Sequence, residues 1–241
     1  MSSRLSLTLG LYLLFLTFAA TVPAAQAQRG PDIFVTPIPN APFTAIVQVE
    51  RSNVQPDGTT IKMKTFRQIG RDGHGRIYNE MRILVSAETD QIPKIASIRL
   101  YDPQTRVSTT LNALDKTFWT MTVNRPPATV PPGPLDATPA GNTLQQNEFT
   151  TKEDLGVKDF DGTSAHGTRS VQKVPVEGSS GTVTVTDEYW YSDDLRINVF
   201  IKHNDPRTGS VTLTVGKIQR AEPDSAVFEI PQDYRRAEAR Q

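Results

Sequence analysis

Apolar and polar residues alternate with a period of two along most of this chain. Ala45, Val47 and Val49 alternate with Ile46, Gln48 and Glu50, and Ile61 and Met63 with Lys62 and Lys64. Ile77, Met81 and Ile83 share a face opposite Glu80 and Arg82. Ala96, Ile98 and Leu100 alternate with Ser97 and Arg99, and Trp119, Met121 and Val123 with Phe118, Thr120 and Thr122. Successive side chains of a strand point to opposite faces, so each run predicts a strand with one buried and one wet face. Strands wetted on one side belong to antiparallel sheets, because parallel sheets are covered on both.

Further strands are expected over 165–174, 182–191, 197–203 and 211–218, where threonines interleave with Val, Ile and Leu. Turn signals separate the runs: Gln55-Pro56-Asp57-Gly58, residues 71–75, Asp102-Pro103 and Asp205-Pro206. Short connections between neighbouring runs make a meander. The expected fold is mainly all-β: a curved, half-barrel-like antiparallel sheet with few short helical turns. One such turn is predicted over 224–228, with Asp224 as its N-cap.

Two segments fall outside the alternation. Residues 125–141 hold Pro126, Pro127, Pro131, Pro132, Pro134 and Pro139, six of the eighteen prolines. Proline has no N–H for a sheet ladder, so this is an extended excursion or linker. The other segment is the start. Arg4, an apolar run from Leu5 to Val22, the helix-breaking Pro23 and the small residues of Ala25-Gln26-Ala27 form a secretory signal-peptide pattern, with cleavage between Ala27 and Gln28. An uncleaved anchor is the competing reading, since the run is just long enough to span a bilayer; Ser6, Thr8, Thr17 and Thr21 argue against it. The expected organisation is a signal peptide at 1–27, a lead-in at 28–42, a single β domain at 43–234 containing the excursion, and a disordered tail at 235–241. No later run is long enough to span a membrane, so the expected location is periplasmic or secreted.

Composition narrows the chemistry. The 241 residues include no cysteine, which removes disulfides, thiolate metal sites and cysteine nucleophiles. Lys+Arg and Asp+Glu balance at 26 each, without the basic stripe that phosphate neutralisation needs, so no nucleic-acid partner is expected.

Several motifs together resemble a known group. Asp57-Gly58, Arg71-Asp72 with Gly75-Arg76 and Glu80, and Tyr101-Asp102-Pro103 are followed by Leu155-Gly156, Gly162, Ala165, Gly167 and Arg169. Glu188-x-Trp190-Tyr191-Ser192, Asp205-Pro206-Arg207-x-Gly209 and the closing 221–234 stretch with Phe228, Pro231 and Tyr234 complete the pattern. It resembles uncharacterised exported bacterial β proteins of the acidobacterial type, a group that supplies no function. More distantly, the C-terminal half is similar to the half-barrels of periplasmic lipoprotein carriers and related envelope-stress sensors. In those proteins helices cover an apolar concave face; this chain has almost none to offer.

Candidate sites follow from residue type. Trp119, Tyr189, Trp190, Tyr191 and Phe200 are candidate ligand or partner contacts, with core packing as the alternative for each. Trp190 falls opposite Tyr189 and Tyr191, so both sheet faces carry aromatics there. Arg71, Asp72, Arg76 and Glu80 are a candidate surface charged cluster, either for partner recognition or as solvated ion pairs. His74, His166 and His203 lack zinc-ligand spacing, and Asp159-Phe160-Asp161-Gly162 lacks the closing Glu of a calcium loop. No cofactor, metal or catalytic residue is expected. The function expected is a non-enzymatic envelope protein binding an apolar ligand, lipid or polypeptide on the concave face. A structural module pairing through its sheet edges is the alternative, and a hydrolase comes last.

Overall fold

The computed structural model describes residues 31–124, 149–176, 178 and 180–237. The expected leader and cleavage site, the 125–141 excursion and the last four residues lie outside these. The strands are β1 (Phe43–Val54), β2 (Thr60–Arg71), β3 (Ile77–Arg82), β4 (Val85–Ser86), β5 (Ile95–Asp102), β6 (Val107–Asn112) and β7 (Thr117–Thr122), then β8 (Thr150–Phe160), β9 (Thr163–Pro175), β10 (Thr182–Ser192), β11 (Ile197–Asp205), β12 (Gly209–Gln219) and β13 (Arg235–Arg236). The expected helical turn is a 3₁₀ turn, Ser225–Phe228, and the Asp224 side chain accepts from Ala226 N.

All of these strands join one curved, open 13-stranded sheet. Two meanders build it. One runs from β1 through β2, β3, β5 and β6 to β7, and the other from β8 to β12. They meet where β12 pairs with β1, so the first and last long strands stand in the middle of the sheet. Every long pairing is antiparallel; the exception is β13, which lies parallel to β7. Arg235 and Arg236, expected to begin a frayed tail, thus pair with Thr117 and Phe118.

Burial does not stay on one face. Val47 pairs with Arg67 of β2 and Val215 of β12, which defines a Val47 face. There Phe43, Ala45, Val47, Ile69, Leu213, Val215 and Ile201 form the larger core, and Ile33 and Val35 of the lead-in pack against them. Tyr78, Leu100 and Leu111 lie on the opposite, Gln48 face, in the β3–β7 half. Val227, Phe228 and Tyr234 of the C-terminal segment cover them. The first and last described segments therefore cover different faces. The expectation of one oily side fails because the sheet extends beyond the reach of a single cover. The register of β7 is reversed for the same reason: Phe118 packs inward, while Trp119 and Met121, read as the buried set, are 45% and 59% exposed.

Gly167 shows how tightly the second half is packed. A Cβ there would sit 2.7 Å from the Trp190 ring. Gly167→Ala is expected to lower stability by about 1–3 kcal/mol, as overpacking does. A urea melt would check this; a neutral result would mean that the indole does not lie on the glycine.

Candidate functional site

The alternation of β1 leaves Ile46, Gln48 and Glu50 on the face opposite the larger core. In register with them stand Gln68, Phe66 and Lys64 of β2 and Gly216, Thr214 and Thr212 of β12. Residues 89–93 line one side of a half-open cavity of about 590 Å³ over these strands. Its floor is Ile46, Phe66 and the bare backbone of Gly216, its outer wall is Ile92 and Pro93, and Glu50 and Lys64 stand at its margin. The cavity therefore lies opposite the larger core, because the chain itself fills the Val47 face.

Arg82 fixes the wall to the floor. Its Nε donates to Glu80 Oε2 at 2.8 Å and its Nη1 to the Pro93 carbonyl at 3.0 Å, while the guanidinium lies 4.8 Å over the Phe66 ring. Glu80 is buried and also accepts from the Tyr78 hydroxyl at 2.7 Å and from Gln68 N at 3.2 Å. Burial, helped by the Glu80 carboxylate, holds the Tyr78 hydroxyl above the ordinary phenol range. A carboxylate held by three donors positions the groups around it.

The candidate aromatics separate. Trp190 and Phe200 pair across β10 and β11 on the Gln48 face and share Phe160, whose ring centroid is 5.4 Å from Trp190 and 5.8 Å from Phe200. Phe200 pairs with Thr214, which pairs with Gln48, which pairs with Phe66. One cross-strand row thus runs from the cavity to Trp190. Trp190 Nε1 donates to Glu188 Oε1 at 2.7 Å, and Arg169 Nη2 holds Glu188 Oε2 at 2.9 Å. Tyr189 is buried on the Val47 face, and Tyr191 is buried beyond the bulge that follows Trp190. Trp119 lies far along the sheet on the Val47 face.

The charged cluster is not a surface feature. Arg71, Asp72 and Glu80 are buried, and only Arg76 is substantially exposed. Nor do they meet as one group. Arg71 points into the larger core, and Glu80 lies on the Gln48 face. Asp72 closes the β2–β3 turn, accepting from His74 N, Arg76 N and Arg76 Nε at 3.0, 2.8 and 2.6 Å. Charge alone suggested exposure; chain ends folded over both faces bury these groups among donors and acceptors.

His203 Nδ1 lies 2.7 Å from Asp187 Oδ1 on the Val47 face. That hydrogen bond raises the His203 pKa above 6.5, assisted by Asp205 and opposed by burial. A raised folded value means that this stabilisation is complete below the ordinary histidine range and is lost as pH rises through the folded pKa. The melting temperature is expected to fall between about pH 6 and about pH 9 by more in the parent chain than in His203→Gln. Identical pH profiles would contradict the pairing. Among the described residues no group of three His, Cys, Asp or Glu is placed to hold a metal ion. Among the same residues no helix is long and apolar enough to cross a membrane.

The residues that build the cavity, namely Ile46, Phe66, Arg82, Ile92 and Gly216, were not singled out from sequence. One signal was present: a lone glycine inside the β-branched run of β12 marks a bulge or a bare patch of sheet. Gly216 is the bare patch, and the bulge follows it at Lys217, whose φ is 51°.

No family model and no curated protein matches the chain, so nothing supports the motif resemblance to exported acidobacterial-type proteins. Several solved structures are similar at low identity. MucB shares 9% identity at a TM-score of 0.39, over 80% of this chain and 58% of that one. The Pseudomonas aeruginosa MucA/MucB complex gives 12% and 0.39, over 80% and 56%. A LolA-superfamily protein from Nitrosomonas europaea gives 11% and 0.31, over 80% and 91%. The chain spans a little over half the length of the MucB chains it matches.

Proposed function

We propose that this chain is an exported, non-enzymatic binding protein that holds a small amphipathic ligand in the trough across β2, β1 and β12. The observation that carries this reading is the cavity of about 590 Å³ itself, within the range of roughly 300–1,000 Å³ typical of small-molecule pockets. Its chemistry suits a molecule with an apolar body and a polar end. Phe66, Ile46, Ile92 and Pro93 face the body; Gln48, Lys64 and Glu50 face the polar end. Trp190, like Tyr189 and Tyr191, is buried and serves packing, and Phe200, only partly buried, stands between it and the trough. Export rests on the leader pattern before Gln28, and N-terminal sequencing of the protein from its native source checks it: a start at Gln28 is expected.

Gly216 provides the test of binding. A Cβ added there meets nothing within 4 Å, and its φ is not left-handed. Gly216→Trp therefore fills the trough without straining the strand. The parent chain is expected to enhance the fluorescence of 1-anilinonaphthalene-8-sulfonate, an apolar anion of suitable size. Gly216→Trp should lose at least about ninety per cent of the enhancement, as expected when a ligand's apolar contacts are replaced by protein, with the melting temperature kept. Equal enhancement in the two proteins would overturn the assignment of the trough.

A further inference from the structure

The strand that ends the sheet, β8, is 11 residues long and, among the described residues, pairs with β9 alone. Such an edge offers unpaired backbone donors and acceptors to another chain. Its charges are arranged about its own centre: Lys152, Glu153 and Asp154 precede Leu155-Gly156, and Lys158 and Asp159 follow. A bulge sits at the same centre. The register passes from Asp154 opposite Thr168 to Gly156 opposite Gly167, leaving Leu155 as the extra residue. One extra residue exchanges the faces of everything beyond it. Glu153, opposite Arg169, and Lys158, opposite Ala165, therefore share one face; Lys152, opposite Ser170, and Asp159, opposite Ser164, share the other.

We propose that β8 pairs antiparallel with β8 of a second copy of this chain, about a two-fold axis at the Leu155–Gly156 peptide. In this register Glu153 of each copy faces Lys158 of the other, and Lys152 faces Asp159, all on matching faces. Asp154 meets Val157 and Thr151 meets Phe160. A slip of one residue sets Glu153 against Asp159 or Lys152 against Lys158 and mismatches the faces. Charges and bulges normally protect an edge from promiscuous pairing; here they admit the one self-complementary register. The pairing is isologous and closes as a dimer. It leaves the trough open, because β12, the nearest trough strand, is separated from β8 by β9, β10 and β11.

Sedimentation velocity on the purified chain, from about 5 to about 300 µM in low salt, tests this, since an interface of one strand pair is small and weak. A concentration-dependent dimer that salt weakens is expected. Glu153→Lys and Lys158→Glu each set like charges opposite one another and should each weaken association at least about tenfold, whereas the double reversal should return to within about threefold of the parent. Thermal melts show whether each variant keeps its fold. Lys152→Asp with Asp159→Lys repeats the cycle on the other face should Lys158→Glu disturb the Trp190 cluster. Monomer at every concentration, a dimer indifferent to the single reversals, or a double variant as dissociated as the singles would each overturn the proposal.

Discussion

Arg71→Met is expected to lower the unfolding free energy by about 3–5 kcal/mol, the cost of breaking a buried ionic hydrogen-bonding centre. Arg71 is the largest fully buried side chain, at 0% exposure. Its Nε donates to the Ala41 carbonyl at 2.7 Å, its Nη1 to Thr36 O at 2.9 Å and its Nη2 to Leu195 O at 3.1 Å. The guanidinium also lies 5.0 Å over the Phe43 ring. All three of these acceptors are backbone carbonyls, and burial pulls the Arg71 pKa down to about 10, which still leaves it charged near neutrality. One side chain thus joins β2, the lead-in and the β10–β11 turn. Methionine fills similar volume but leaves three carbonyls without this donor, each costing roughly 1–3 kcal/mol where water cannot replace it. Lysine, with a compact charge and no planar fork, should recover only part of the loss. The expected fall in melting temperature is ~6–20 °C for a domain of this size. Hydrogen exchange at Ile33 and Val35 should quicken more than at Leu111, which lies in the other core. A loss below about 1 kcal/mol would mean that the lead-in is not held by Arg71.

Gly209→Ala should be nearly as damaging. Gly209 opens β12 with φ 117°, and a Cβ there would lie 1.9 Å from the Ser52 carbonyl oxygen. Its neighbours are backbone, so no side chain can swing aside. Strain of about 1–3 kcal/mol from the dihedral adds to a clash that can be relieved only by parting β12 from β1. That seam joins the two meanders, and the Ser52–Ser210 hydroxyl contact at 2.9 Å lies beside it. A loss of about 3 kcal/mol or more is expected in a urea melt, with the amides of β1 and β12 losing protection first. Unchanged stability would contradict the close approach of the strands.

Much of this architecture could be read from residues. The period-two runs, the Pro and Gly turns and the Asp224 cap report local backbone geometry, which neighbouring residues determine. What they could not report was which face of one strand continues onto the next, because pairing register links distant residues. Hence Phe118 and Trp119 exchanged places, and two cores on opposite faces read as one. Trp190 and Phe200 were legible only as separate candidates; the register of the β10–β11 hairpin is what pairs them. The trough was not legible: Phe66, Ile46 and Gly216 come together only through the return of β12 to β1, and Arg82 and Ile92 gain their roles only once residues 89–93 stand over that seam. Arg71, Asp72 and Glu80 looked like surface charges because nothing local shows that chain ends will cover them.

Native mass spectrometry of the protein isolated from its native source, parent beside Gly216→Trp, tests the trough as a ligand site most directly. The parent should fly with an added small-molecule mass that gentle activation removes, and the variant, equally folded, should fly bare. A bare parent in every preparation, or an adduct that survives the tryptophan, would contradict the binding role assigned to this face.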